Sequence, residues 1–151
     1  MNVPDLLRAL GERGETLAVA ESLTGGLLAA SIVDVPGASA VFRGGLVVYA
    51  TDLKATLAGV PSSLLALHGP VHPLVAAALA AGARERCGAD WGLATTGVAG
   101  PDPQDGIEPG TVYVAVDGPT SQVQHLHLTG DRPAIRAAAV AAALALLASS
   151  L

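Results

Sequence analysis

Covalent cross-links and aromatic rings are scarce in this chain: its 151 residues include one cysteine, one phenylalanine, one tryptophan and two tyrosines. A lone Cys87 cannot close an internal disulfide or build a cysteine-rich metal site, and a reducing cytoplasm is the expected setting. The core must therefore be aliphatic, so an aromatic side chain at a strand end, such as Tyr49, stands out. Basic residues are also few: 8 Lys plus Arg face 13 Asp plus Glu, a formal net charge of −5. No stretch of even four basic residues occurs, which argues against nucleic acid or an anionic membrane as partner. A long apolar run is missing too. The longest covers residues 137–148, twelve in all, whereas a bilayer-spanning helix takes about 20. No basic, apolar leader opens the chain, so a secretion signal is not expected.

What the chain does have is 51% hydrophobic residues, only 14% charged ones and a mean hydropathy of +0.52. That composition excludes intrinsic disorder. Alanine and leucine supply it in short blocks, as in a tightly packed helical layer, and the length suits one domain over residues 1–151.

Periodicity and breakers divide the chain as follows. Helical spacing covers residues 3–12, and an apolar β-rich run covers 16–20 before a Gly-containing break and a helical stretch at 27–33. Residues 41–49 read as a strand whose glycine pair, Gly44 and Gly45, suggests a bulge, and a helix follows from Thr51 or Asp52 through Leu57. Two helices, 61–68 and 74–86, are separated by Gly69, Pro70 and Pro73. A third strand at 91–95 precedes a polar loop reaching Gly110, then strands at 111–116 and 122–128 form a hairpin through Asp117, Gly118 and Pro119. The final helix spans 131–151 with Pro133 in its first turn. Alternating strands and helices followed by a hairpin predict an α/β fold: a three-layer α/β/α domain with a mixed, mostly parallel sheet.

Four constellations carry possible chemistry. At the first strand-to-helix junction stand Glu21, Ser22, Leu23, Thr24, Gly25 and Gly26. Backbone N–H groups there attract anions and Ser22 is placed as a nucleophile; equally, Ser22 or Thr24 caps the helix and the glycines fit a turn. It is not a P-loop, since no Gly-Lys-Ser/Thr follows. The second group is Tyr49 through Lys54. Lys54 is the only lysine beside seven arginines, and a group that must lose a proton near neutral pH cannot be arginine. Desolvation would lower its pKa as a general base requires, while the plainer reading is a solvated surface lysine. Third come Thr95, Thr96, Gly97, Val98, Ala99, Gly100, Pro101 and Asp102 at a strand's carboxyl end, where α/β sheets bind ligands or simply turn. Fourth, Arg132 opens the last helix, either to meet a phosphate or carboxylate or to lie in solvent beside an Asp131 cap. His68, His72, His125 and His127 lack an acidic third ligand or regular spacing, so no metal site is expected.

AESLTGG at 20–26, PGASAVFRGGLVVYATDLKATLAGV at 36–60, TTGVAGPD at 95–102, PGTVYVAV at 109–116 and TGDR at 129–132 together resemble the CinA C-terminal domain family, whose enzymatic members are nicotinamide-nucleotide amidohydrolases. The resemblance runs over nearly the whole chain. It implies a three-layer fold and hydrolysis of the carboxamide of nicotinamide mononucleotide to nicotinic acid mononucleotide and ammonia, in pyridine nucleotide recycling, with no cofactor. It further implies a catalytic Ser22, Tyr49 and Lys54, with Tyr49 relaying a proton if it lies between the other two. Thr24, Gly25, Gly26, Thr96, Gly97, Gly100 and Arg132 would bind the substrate, the first three through amides facing the oxyanion. Two departures stand out: the loop at 103–110 lacks the usual Gly-Gly pair and lysine, and Pro70, Val71 and His72 replace Ala-Val-Ser. Some relatives carry a further pyrophosphatase-like domain, of which these residues hold nothing, so only the amidase activity is carried over. A rival reading is a nucleotide or phosphometabolite sensor without chemistry, which would not need Ser22 and Lys54. A homo-oligomer joined through alanine-rich helix faces is compatible with both.

Overall fold

Several helix starts in this chain are set by side chains that accept otherwise unpaired N–H groups, and strand faces by alternation of large and small residues. The computed structural model describes residues 1–151. In chain order it contains α1 (Val3–Glu12), β1 (Leu17–Glu21), α2 (Leu27–Val33), a single 3-10 turn (Ala38–Ala40), β2 (Phe42–Val47) and α3 (Thr51–Thr56). There follow α4 (Ser62–His68), α5 (Pro73–Cys87), β3 (Trp91–Gly97), β4 (Thr111–Asp117), β5 (Gln122–His127) and α6 (Arg132–Ser150). Asn2 caps α1 through the amide of Asp5 at 2.8 Å, His72 Nδ1 caps α5 through Leu74, and Asp131 caps α6 through Ala134. Gly88, at φ 62°, ends α5 in the left-handed region.

The five strands form one sheet in the order β2-β1-β3-β4-β5. β2, β1 and β3 run parallel, while the β3–β4 and β4–β5 pairs are antiparallel. The sheet is thus mixed and mostly parallel in strand direction, as expected: only β4 runs against the other four strands. The bulge expected in the second strand exists: Leu17 pairs with Phe42 and Ala18 with Gly44, leaving Arg43 as the extra residue.

Alternation sends Leu17 and Val19 of β1, Trp91 and Leu93 of β3, and Val112, Val114 and Val116 of β4 to one face. There they pack under α1, α2 and α6. Ala18, Ala20, Ala94 and Ala115 line the other face, against Val75, Ala76, Leu79, Ala80 and Ala83 of α5. Small residues on both sides let α5 lie close to the sheet. A Cβ added to Gly92 would come 1.9 Å from the Ala80 carbonyl oxygen, and one on Gly82 equally close to that of Ala58. The single tryptophan is fully buried, its indole N–H satisfied by Glu15 at 2.7 Å. By its length and mean hydropathy of 1.6, α6 could cross a bilayer, yet it buries Ile135, Ala139, Ala143 and Leu147 against the larger-residue face of the sheet. Cys87 is half-buried at the end of α5.

In this order the chain leaves β1 for β2 on one side and later reaches β3 on the other. The carboxyl ends of β1 and β3 therefore flank a topological switch point, the place where open α/β sheets hold ligands.

Candidate active site

Three chain segments end at that crevice. β1 delivers Ser22, whose amide donates to the Thr95 carbonyl at 3.1 Å; β2 leads through Val48 and Tyr49 into α3; β3 ends in Thr96 and Gly97. Lys54 lies on α3 and turns inward, 1% exposed. Its Nζ donates to Ser22 Oγ at 2.9 Å, to the Val48 carbonyl at 2.8 Å and to the Tyr49 carbonyl at 3.2 Å. No carboxylate pairs with it. Burial without a counter-charge disfavours the ammonium, and the pKa falls from 10.5 to about 8.

These contacts also suit the neutral amine. With one proton gone, its two remaining N–H groups serve the two carbonyls and its lone pair faces Ser22 Oγ. At pH 7.4 about a fifth of such amines are neutral, against about one in a thousand at the ordinary value. The arrangement therefore places a serine hydroxyl beside a base able to take its proton.

The pair opens onto a cavity of about 400 Å³, within the range of roughly 300–1,000 Å³ usual for small-molecule sites. Its wall includes Leu23, Tyr49, Pro70, Thr96, Gly100 and Arg132. The Thr96 hydroxyl donates to the Pro70 carbonyl at 2.8 Å, tying β3 to the segment between α4 and α5. Gly97 also faces the cavity, but β4 dictates its identity: an added Cβ would lie 2.7 Å from the Thr111 carbonyl oxygen. Arg132 is exposed but tethered. Its guanidinium donates to the Gly100 carbonyl at 2.7 Å and to the Tyr49 hydroxyl at 3.2 Å, while Asp131 separately caps α6. The amides of Ala99 and Gly100 donate to no protein acceptor.

Two sequence expectations need correction. Tyr49 does not stand between Ser22 and Lys54: those two touch directly, and the tyrosine reaches Lys54 only through its backbone carbonyl. Its ring is 62% exposed at the cavity mouth, two residues beyond the end of β2, because Val48 takes the buried position there. Nor do Thr24, Gly25 and Gly26 line the cavity. Thr24 is fully buried and its hydroxyl bonds that of Thr95 at 2.7 Å. Gly25 and Gly26 hold φ of 56° and 101° to complete the turn into α2. The N-terminus of α2 is not open to an anion either, since the buried Glu21 carboxylate accepts the Leu28 amide at 2.8 Å and the Ala29 amide at 3.0 Å.

Residues 3–151 match the CinA C-terminal domain family. The chain belongs to this family. Within it, the CinA-like protein of Frankia casuarinae is 55% identical over 143 residues, covering 94% of this chain and 33% of that protein. The CinA-like protein of Anaeromyxobacter sp. is 52% identical over 141 residues, or 91% of this chain and 34% of that one. The chain thus spans about a third of the length of the curated CinA relatives it matches. Among solved CinA structures, competence damage-inducible protein A of Klebsiella pneumoniae superposes with a TM-score of 0.92 at 32% identity, covering 99% of this chain and 96% of that one. A CinA superfamily protein of Escherichia coli gives 0.93 at 31% identity, covering 99% and 91%.

Sequence reasoning missed Glu21 as the cap of α2. A signal was present: Gly26 precedes the helix and has no side chain to accept an N–H, so the acceptor had to come from elsewhere. It also missed Pro70, Val71 and Gln104 in the cavity wall. Gln104 gets there because Asp105 and Gly106, at φ 49° and 75°, make a tight turn that bridges Gln104 to Ile107.

Proposed function

We propose that this CinA-family domain is an amidohydrolase that converts the carboxamide of nicotinamide mononucleotide to a carboxylate, releasing ammonia and nicotinic acid mononucleotide. The observation that carries the reading is the 2.9 Å contact between Ser22 Oγ and the buried Lys54 amine, which has no carboxylate partner, at the edge of a nucleotide-sized cavity. Ser22 Oγ attacks the amide carbon while its proton passes to Lys54 Nζ. The tetrahedral intermediate collapses as the C–N bond breaks, and the ammonium of Lys54 gives the nitrogen the proton with which it leaves as ammonia. Water then attacks the acyl-serine ester, its proton again going to Lys54, and the same proton returns to Ser22 as the acid departs. The Leu23 amide, adjoining Ser22 and without a protein acceptor, is the backbone donor assigned to the oxyanion. Tyr49 then has a place at the mouth of the site rather than in the proton path.

The nucleotide's ribose and phosphate would lie along Thr96, Gly97 and Gly100 toward Arg132. Two of the five guanidinium donors are engaged there, and the remainder are left for an oxyanion. A sensor domain would gain nothing from burying a lysine against a serine at a cost in stability, which favours the enzyme over the binding module. The test is an ammonia-release assay on nicotinamide mononucleotide, with free nicotinamide and the dinucleotide as controls. Release from the mononucleotide by the parent but not by Ser22→Ala is expected. An inactive parent would remove the amidase reading, and an active Ser22→Ala would remove the nucleophile.

A further inference from the structure

Beside the cavity lies an arginine that the mechanism above does not use. Arg136 stands one turn beyond Arg132 on α6, half-buried, and it pairs with no carboxylate. Its guanidinium instead forks onto two successive backbone carbonyls: Nε donates to Leu23 at 2.9 Å and Nη2 to Thr24 at 3.0 Å. These belong to the turn immediately after Ser22, more than a hundred residues away along the chain. Burying part of a charge to bind two carbonyls is costly for a merely decorative contact.

Peptide geometry says what the fork accomplishes. Each peptide unit of the turn is trans, so its C=O and N–H point in opposite directions. Holding the Leu23 carbonyl toward α6 forces the Thr24 N–H the other way. Holding the Thr24 carbonyl, which also accepts the Leu27 amide at 2.9 Å, directs the Gly25 N–H back to the Ser22 carbonyl at 3.0 Å. With the Ser22 carbonyl thus occupied inside the turn, the Leu23 N–H points out of it. The Leu23 and Thr24 amides have no acceptor anywhere in the protein, and Leu23 lines the cavity. Gly25 suits the turn through its backbone, at φ 56°, a conformation side chains rarely adopt; an added Cβ would meet the guanidinium only at an ordinary contact distance of 3.5 Å. A cation on the Thr24 carbonyl also polarises the Thr24–Gly25 peptide and strengthens the Gly25 N–H bond to the Ser22 carbonyl, which in turn polarises the Ser22–Leu23 peptide and makes the Leu23 N–H a better donor.

We propose that Arg136 is a positioning residue for the acyl-transfer step: by clamping the Leu23 and Thr24 carbonyls it fixes the turn and, through the Gly25–Ser22 hydrogen bond, orients and polarises the Leu23 amide that receives the oxyanion formed on attack by Ser22. The inference rests on the serine-nucleophile reading and adds to it a distant side chain acting through the backbone. Its effect belongs to the transition state, where the negative charge develops, rather than to substrate binding.

Two readouts test it together: steady-state ammonia release from nicotinamide mononucleotide, and the rate at which a fluorophosphonate probe labels Ser22. In the labelling reaction the Ser22 Oγ–P bond forms, the P–F bond breaks, fluoride leaves and the serine proton passes to Lys54, so no nicotinamide need be recognised. For Arg136→Ala the expected result is a loss of about a hundredfold in kcat and in labelling rate, the size found when one oxyanion donor is lost. The KM should stay within about threefold, the pH inflection should not move, and added methylguanidinium should restore part of both rates. Arg136→Lys, which keeps the charge but cannot fork in a plane onto two carbonyls, covers the case in which the alanine variant fails to fold; about a tenfold loss at unchanged KM is expected. Either folded variant matching the parent in both readouts overturns the proposal, as does a loss in Arg136→Ala that methylguanidinium leaves untouched. A parent that is labelled at Ser22 but releases no ammonia refutes the substrate assignment alone, and Arg136 is then judged on labelling. A parent that does neither overturns both.

Discussion

Replacing Lys54 by methionine separates the proton equilibrium of the buried amine from its hydrogen bonds. The lysine is 1% exposed, and its folded-state pKa lies at about 8 rather than 10.5. That gap corresponds to about 3 kcal/mol of stability forgone while the group is charged, so the site is strained by its own base. Below about pH 8 both folded and unfolded chains hold the proton, and the full penalty is present. Between about 8 and 10.5 the unfolded chain binds more protons than the folded one, so folding stability rises with pH; above that window both are neutral and the penalty is gone. Linkage gives a residual penalty of about 2 kcal/mol at pH 9 and under about 0.5 at pH 10.5. Methionine also strands the Val48 carbonyl and the Ser22 hydroxyl, but that cost does not depend on pH. Urea unfolding of the parent and Lys54→Met at several pH values isolates the titration as the change in their stability difference. The parent should gain about 3 kcal/mol on the variant between pH 7 and pH 10.5. In the same parent, kcat/KM for ammonia release should climb through an inflection near 8, because only the neutral amine accepts the serine proton. A stability difference that stays flat across the range would show that the lysine titrates at its ordinary value, and the argument for a base at neutral pH would fall with it.

Four other outcomes are expected. Ser22→Ala removes one hydrogen bond of Lys54 and should shift stability by only about 1 kcal/mol in calorimetry while abolishing ammonia release. Glu21→Gln places an amide NH2 where the Leu28 and Ala29 amides need acceptors, and denaturant unfolding should register a loss of about 1–3 kcal/mol. Arg132→Ala should raise KM for the mononucleotide well above any change in kcat, since its free donors face the expected phosphate position; equal falls in kcat and kcat/KM would assign it to the transition state instead. Gly92→Ala drives a methyl group into the Ala80 carbonyl oxygen and should lower the melting temperature by forcing α5 off the sheet.

The layers of the fold were legible because they rest on local rules. Apolar strand-like runs at residues 16–20 and 91–95, alternation at 111–116 and 122–128, helical blocks, and Gly and Pro breakers located every strand and α-helix to within a few residues. The solitary lysine stood out against seven arginines for a reason of pure chemistry, and Ser22 for its place at a strand-to-helix turn. What sequence could not supply was direction. Whether Tyr49 separates the serine from the amine depends on which of Val48 and Tyr49 turns inward, and the packing behind β2 settles it in favour of Val48. The capping role of Glu21 and the whole of Arg136 escaped notice because their partners are backbone atoms, which every residue has and no motif records. Residue order alone therefore determined the α/β layering, the family and the candidate reactive side chains. Only the tertiary structure decided that the Lys54 amine meets the Ser22 hydroxyl out of water and without a counter-charge, since desolvation and hydrogen-bond direction belong to the assembled environment and not to any segment of the chain.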